Sequence, residues 1–172
     1  TSPLFSSAET SAVATGGIVS LDIVGLQPAT TYYYGIEVAG VLRTEATSRG
    51  RFRTFPQGAG SFKIALVGDT DYREPDHRAE EAVITEQPHL LLFNGDLHYS
   101  DLLSTTVEDF RVPYDNTLKH PVMGAMLRST AIAYVWDDHD FAGGDNSDGT
   151  AAGAPATRDR KSTRLNSSHV SE

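Results

Sequence analysis

The sequence has no cysteine among its 172 residues. That excludes a disulfide framework and any thiolate metal ligand. Basic residues are few: 14 Lys and Arg stand against 23 Asp and Glu, a formal net charge of −9. The deficit argues against a broad nucleic-acid-binding surface and against binding to anionic membranes. No apolar stretch approaches the roughly 20 residues of a membrane span, and no internal repeat is visible. The amino terminus, TSPLFSSAET, has neither an initiator methionine nor a secretory signal pattern, so the chain reads as starting mid-protein. Residues 159–169, DRKSTRLNSSH, match in one frame the translation of a common sequencing-library adapter. An artefactual tail is therefore expected over 159–172, in preference to a polar disordered one. The acidic balance survives its removal. A hydrophobic fraction of 39% is compatible with a packed core, in one ordinary domain or two incomplete ones.

What the chain does have is three apolar runs, FKIALVGD (62–69), HLLLFNGD (89–96) and AIAYVWDDHD (131–140). Each is as long as one buried strand, and each ends in acid. Segments of helical character separate them, which predicts a parallel α/β sheet. The carboxyl ends of such strands share one edge, and ligands bind at that edge. Asp69, Asp96 and Asp138 are therefore expected to converge beside a histidine, the ingredients of a hard-cation, phosphate-handling site. In the first run Phe62, Ile64 and Leu66 alternate with Ala65 and Val67, so both faces are apolar and both are expected to be covered. A helix is predicted over 74–86, with Pro75 in its first turn, Ala79, Ala82 and Val83 as its buried stripe, and Pro88 as its stop. A second helical stretch over 105–118 is interrupted by Pro113, and a short third helix spans 121–128.

Residues 16–55 read as β structure. GIVSLDIV (17–24) is a strand of partial alternation, TYYYGIEV (31–38) sets Tyr32, Tyr34, Ile36 and Val38 on one face, and GRFRTF (50–55) is a third short strand. Between the first two, Gly25, Leu26, Pro28, Thr30 and Tyr32 resemble the tyrosine corner of fibronectin type III domains, whose Tyr hydroxyl bonds to upstream backbone. The resemblance implies a partial fibronectin III-like β-sandwich; another β-hairpin arrangement is the alternative. QGAGS (57–61) is the best boundary, giving expected units of 1–57 and 61–158.

The three acidic turns carry unequal amounts of chemistry. Gly68-Asp69 projects a carboxylate off the sheet edge, although such a pair also serves merely to turn the chain. In Asn94-Gly95-Asp96-Leu97-His98-Tyr99, the D-x-x-Y spacing lets one turn present a carboxylate and a phenol to a single cation. The carboxylate can bridge two metals, and a phenolate suits a trivalent ion; Tyr99 as an aromatic packed on its loop is the other reading. His98 is a candidate for touching a substrate phosphate or supporting the metal ligands, or else faces solvent. In Trp136-Asp137-Asp138-His139-Asp140, four ionisable groups follow a strand. Like charges this close repel, and a cation relieves the repulsion; an exposed acidic turn is the alternative. His139 there could act as general acid for a leaving alkoxide. His77, His89, His120 and His169 have no comparable setting.

Taken together, GDT (68–70), NGDLHYSD (94–101) and VWDDHDFAGGDNSDG (135–149) resemble the PhoD-like alkaline phosphatases of the calcineurin-like metallophosphoesterase superfamily. The resemblance covers about residues 16–158, because that family carries a small fibronectin-like domain ahead of its catalytic domain. The D-x-x-Y is also similar to the purple acid phosphatase pattern. The resemblance implies an α/β metallophosphoesterase-like sheet, incomplete here, preceded by the partial sandwich. It implies Asp69, Asp96, Tyr99 and Asp138 as metal ligands, with Asp96 bridging and Tyr99 as the phenolate, and His139 as the catalytic histidine that contacts phosphate and protonates the leaving oxygen. Many members have Cys where Asp69 stands. His98, Asp137, Asp140, Asn146 and Asp148 are implied only as supporting or substrate-side residues. Two or more metal ions are implied, Fe3+ and/or Ca2+ foremost and Zn2+, Mn2+ or Mg2+ after them. A small phosphate ester is the implied substrate, and a periplasmic or extracellular location the implied setting. The superfamily completes its site with later histidine motifs of the Gly-Asp-x-His type. None occurs here, so the chain as written is expected to lack useful phosphatase activity.

Two rivals remain. VGDTDY can be read as the D-x-D of a haloacid-dehalogenase-type phosphatase with Asp69 as nucleophile, yet Arg73 stands where Thr or Val is expected and WDDHD has no role. An extracellular fibronectin-like binding module with DNSDG (145–149) as a calcium loop is the other, although its spacing does not fit a twelve-residue EF-hand loop.

Overall fold

The computed structural model describes residues 21, 23–141 and 143–144. Its first elements are four short strands: β1 (Thr31–Gly35), β2 (Glu37–Val38), β3 (Val41–Leu42) and β4 (Arg49–Arg53). β1 pairs antiparallel with β4, and β2 with β3. The single strand expected over 31–38 is thus two. The chain changes partner at Ile36, whose N–H donates to Ser48 O at 3.0 Å while its own carbonyl accepts from Arg43 N–H at 2.8 Å. Ala39 and Gly40, at φ of 51° and 77°, close the β2–β3 hairpin in the left-handed conformation that tight hairpins demand. Upstream, Gln27 N–H donates to the Tyr32 hydroxyl at 2.7 Å, and the Tyr32 ring stacks on Phe52 at 5.6 Å. The local contact of a tyrosine corner is therefore present. The expected sandwich is not formed among the described residues, which give two separate two-stranded ladders. Most of the strand predicted over 17–24 lies outside the described residues; Leu21, Ile23 and Val24 are exposed and belong to no strand.

The three apolar runs become parallel strands in the order β5 (Ile64–Val67), β6 (Leu90–Asn94), β7 (Ala131–Val135). Val67 lies opposite Phe93, and Phe93 opposite Tyr134, so the three strand ends come level. Between β5 and β6 runs α1 (Arg78–Glu86). It starts four residues later than predicted. Asp71 and Asp76 each accept the backbone N–H two residues on, from Arg73 at 3.0 Å and Arg78 at 3.2 Å. These local bonds offer the backbone an alternative to helix. The helix turns Glu80, Val83 and Ile84 inward and leaves Ala79 and Ala82 exposed, a correction to the expected stripe. It ends at Gln87 in the left-handed conformation, before Pro88.

Between β6 and β7 lie α2 (Val107–Lys119) and α3 (Pro121–Arg128). α2 runs through Pro113 rather than breaking there. Phe110, Pro113, Tyr114 and Thr117 form its buried stripe at helical spacing, so burial holds the ring in place. A last turn, α4 (Asp138–Phe141), follows β7. Leu91 and Phe93 of β6 pack against Leu97, Tyr114, Met123 and Met126 to make the core. The helices cover only this face. On the other, Ile64, Leu66 and Val135 are exposed, Leu66 by 71%, so the second face expected to be covered is open among the described residues.

Candidate metal centre at the strand ends

Each parallel strand ends in a sharp turn, and the turns are stitched together by backbone. Asp69 N–H donates to Gly95 O at 3.3 Å, and Thr70 N–H to Asp96 O at 2.9 Å. Asp69 and Asp96 both sit at positive φ, 53° and 52°, a region uncommon for residues other than Gly and adopted more readily by Asn, Asp and His than by the rest. Gly95 has φ 90°, and a Cβ there would fall 2.5 Å from Asp137 Cβ, so the second and third turns meet in the space left by a missing side chain.

The third turn is anchored by Asp140, which is 0% exposed. Its carboxylate accepts from Asp96 N–H at 2.6 Å, Leu97 N–H at 2.9 Å and Asp137 N–H at 3.3 Å. Burial pushes the Asp140 carboxyl up to about 6, against the opposing pull of the Tyr134 hydroxyl and these amides.

Asp96, Asp138 and His139 each offer a ligand atom, and the three atoms lie within 4.8 Å of one another. Burial, together with the charges of Asp138 and Asp137, raises the Asp96 carboxyl above its ordinary range, although Tyr99 and His139 oppose the shift. Asp96 Oδ1 is buried and has no hydrogen-bond partner among the described residues. It is the unmet acceptor that a cation would satisfy. The carboxylate oxygens with an adjacent phenol form a donor set for hard cations, and the His139 ring lies within reach of them. The residues present fit a metal ion.

The other predicted residues are distributed around this group. Tyr99 donates its hydroxyl to Asp69 Oδ1 at 3.0 Å, and burial plus the Asp69 and Asp96 carboxylates hold that hydroxyl well above the usual tyrosine range. Asp69 thus stands beside the Asp96–Asp138–His139 group, linked through Tyr99, and outside the group itself. Asp137 Oδ1 accepts from Asp138 N–H at 3.0 Å. His98 does not face solvent: it is 1% exposed and packs edge-on against Tyr114 at 4.8 Å. Asn146, Asp148 and the DNSDG loop lie outside the described residues.

Two residues escaped the sequence reading. His139 Nδ1 shares a short hydrogen bond with Asp101 Oδ1, which also accepts from Gly144 N–H at 2.9 Å. Burial opposes a proton on His139, yet the Asp101 bond and the surrounding carboxylates outweigh it and raise its pKa. Burial likewise works against the Asp101 charge, and Gly144 N–H and His139 outweigh it. Asp101 belonged to a recognised motif, but no spacing rule marks it as the partner of a residue 38 positions on. Arg73 is the second. It grips both Asp71 oxygens, at 2.9 and 3.0 Å through Nε, and reaches Tyr99 O at 2.8 Å. The second Asp of the D-x-D is thereby engaged with a cationic side chain.

This is a mixed α/β fold with an acidic centre at the strand ends. No protein-family model matches the chain, and no curated protein matches it. A solved structure titled "Structure of PhoD" does, with a TM-score of 0.64 and 19% sequence identity, over 86% of this chain and 33% of that one. The chain therefore spans about a third of the length of that structure. At this identity the likeness is one of fold. No helix among the described residues is long and apolar enough to cross a membrane.

Proposed function

We propose that this chain carries part of the active centre of a PhoD-like, metal-dependent phosphoric ester hydrolase acting on a small phosphate ester. The observation that carries the reading is the meeting of Asp96, Asp138 and His139 at the strand-end edge, with one Asp96 oxygen buried and unsatisfied among the described residues. The likeness in fold to the PhoD structure supports it. In this reading Asp96 and Asp138 hold the metal, with Tyr99 and Asp69 beside them. The bound cation would neutralise phosphate oxygens and lower the pKa of an attacking water. His139 is the acid. With Nδ1 committed to Asp101 and its protonated form favoured, it can donate from Nε2 to the leaving alkoxide. Asp101 orients the ring. An exported setting, periplasmic or extracellular, belongs to the same reading, as does an Fe3+ or Ca2+ occupant. The haloacid-dehalogenase alternative gains nothing, because Asp71 is engaged by Arg73 and Asp69 by Tyr99.

The test is a calorimetric titration with Mn2+, Ca2+ and Fe3+ on the chain and on Asp96→Asn and Asp138→Asn. Either substitution is expected to weaken the binding by at least about tenfold, with far-UV circular dichroism unchanged. Wild-type affinity in Asp96→Asn overturns the reading. Turnover of a chromogenic phosphate ester by the 172-residue chain is expected to be negligible, because the described residues gather around a single candidate cation position.

A further inference from the structure

Asp140 is a buried carboxylate that this mechanism does not use, and it makes more contacts to the site's backbone than any other side chain described above. Its two oxygens collect the amides of Asp96, Leu97 and Asp137. The first two belong to the turn after β6, the third to the turn after β7. One side chain therefore sets the spacing between the strand ends that present Asp96 and Asp138. It also opposes the strain of Asp96 at positive φ, a conformation that persists only where its surroundings over-determine it. Asp140 is itself oriented from below. The Tyr134 hydroxyl favours the charge on Asp140, and the Tyr134 and Tyr114 hydroxyls are 3.0 Å apart, a chain running from β7 to α2.

We propose that Asp140 is the positioning residue that fixes Asp96 relative to Asp138 for a cation, and that the Tyr134–Tyr114 hydroxyl pair holds Asp140 in register. The consequence for metal binding rests on the metal-centre reading, whereas the clip rests on the hydrogen bonds alone.

The experiment pairs Mn2+ titration with amide hydrogen exchange on the chain, Asp140→Asn, Tyr134→Phe and the core variant Met126→Ala. An Asn side chain has one acceptor oxygen and turns an N–H2 group toward backbone donors. Asp140→Asn should therefore lose exchange protection at Asp96, Leu97 and Asp137 and bind Mn2+ about tenfold or more weakly, the usual range for loss of a group that orients a ligand. Tyr134→Phe should move both readouts the same way, by less. Met126→Ala should lower Tm without lowering affinity in the folded protein.

Wild-type affinity in Asp140→Asn while it is folded overturns the proposal, as does an equal loss in Met126→Ala. Should Asp140→Asn fail to fold, Tyr134→Phe decides, and affinity no weaker than that of Met126→Ala overturns it. If the unsubstituted chain binds no Mn2+, the metal-centre reading fails, and exchange decides the clip: unchanged protection of the three amides in Asp140→Asn disproves it, and selective loss upholds it.

Discussion

At the scale of single residues, the site depends on a close approach at Gly95. Gly95 combines φ 90° with an approach to Asp137 that a Cβ would reduce to 2.5 Å. Gly95→Ala is expected to cost about 1–3 kcal/mol or more, read as a lower urea midpoint. His89 makes a pH-dependent contribution. Its Nδ1 accepts from Lys63 N–H at 3.2 Å, and burial, then Arg53 and Lys63, hold its pKa below 6.5. The folded state favours the neutral ring, so this stability is complete above 6.5 and is lost as pH falls below it. His139 has the opposite sign: its raised pKa makes its contribution complete below 6.5 and lost as pH rises. Asp140, its carboxyl raised to about 6, acts in the same direction as His139 over this range. His89→Asn, which keeps an acceptor at the Nδ1 position, removes the His89 share alone, so its urea midpoint is expected to drop less than that of the unsubstituted chain between about pH 7.5 and about pH 5.5. A steeper drop in that variant would refute this account. The approach of Asp96 to Asp138 beside a histidine was legible in the sequence, because strand ends of a parallel sheet must share an edge, whereas Asp69, expected to converge with them, stands outside the group. Asp101 and the depth of His98 were not legible. Both depend on how the loop after Asp96 folds back, which no periodicity records.

At the scale of elements, the apolar runs and α3 were legible to within a residue or two, since short buried strands and a Pro-initiated helix are dictated locally. The misjudged places are those where a side chain competes with backbone or tertiary burial overrides propensity. Asp71 and Asp76 delay α1, and Pro113 is carried inside α2 by the packing of its stripe. The start of α2 is fixed by Thr106, which accepts from Asp109 N–H at 3.4 Å and bonds the Asp109 carboxylate at 2.8 Å. Thr106→Ala is expected to cost about 0.5–2 kcal/mol, and thermal unfolding measures it. Thr106→Ser should recover most of the loss. At Ile36 the split of one predicted strand into two follows from a change of hydrogen-bond partner, a long-range event invisible in the alternation of Tyr32, Tyr34, Ile36 and Val38.

At the scale of the whole molecule, the sheet is covered on one side only among the described residues, and its two faces should respond differently to substitution. Leu91, wholly buried, should lose about 2–5 kcal/mol on truncation to Ala. Leu66, on the open face, should cost less than about 0.5 kcal/mol on replacement by Thr while reducing self-association, seen by sedimentation. Equal destabilisation by the two would mean that the open face is packed in solution. The clip at Asp140 has a consequence for how the molecule comes together in time. The bond from Asp96 N–H to the Asp140 carboxylate joins residues 44 apart. Closing so long a loop is slow and is rewarded only when β7 docks beside β6. A nascent or partly folded chain in which β5 and β6 alone have paired would hold Asp69, Asp96 and Tyr99 but no centre to receive a cation. Competence to bind metal should thus appear late in folding, in step with β7, and a cation added early in refolding should leave the folding rate unchanged while slowing unfolding.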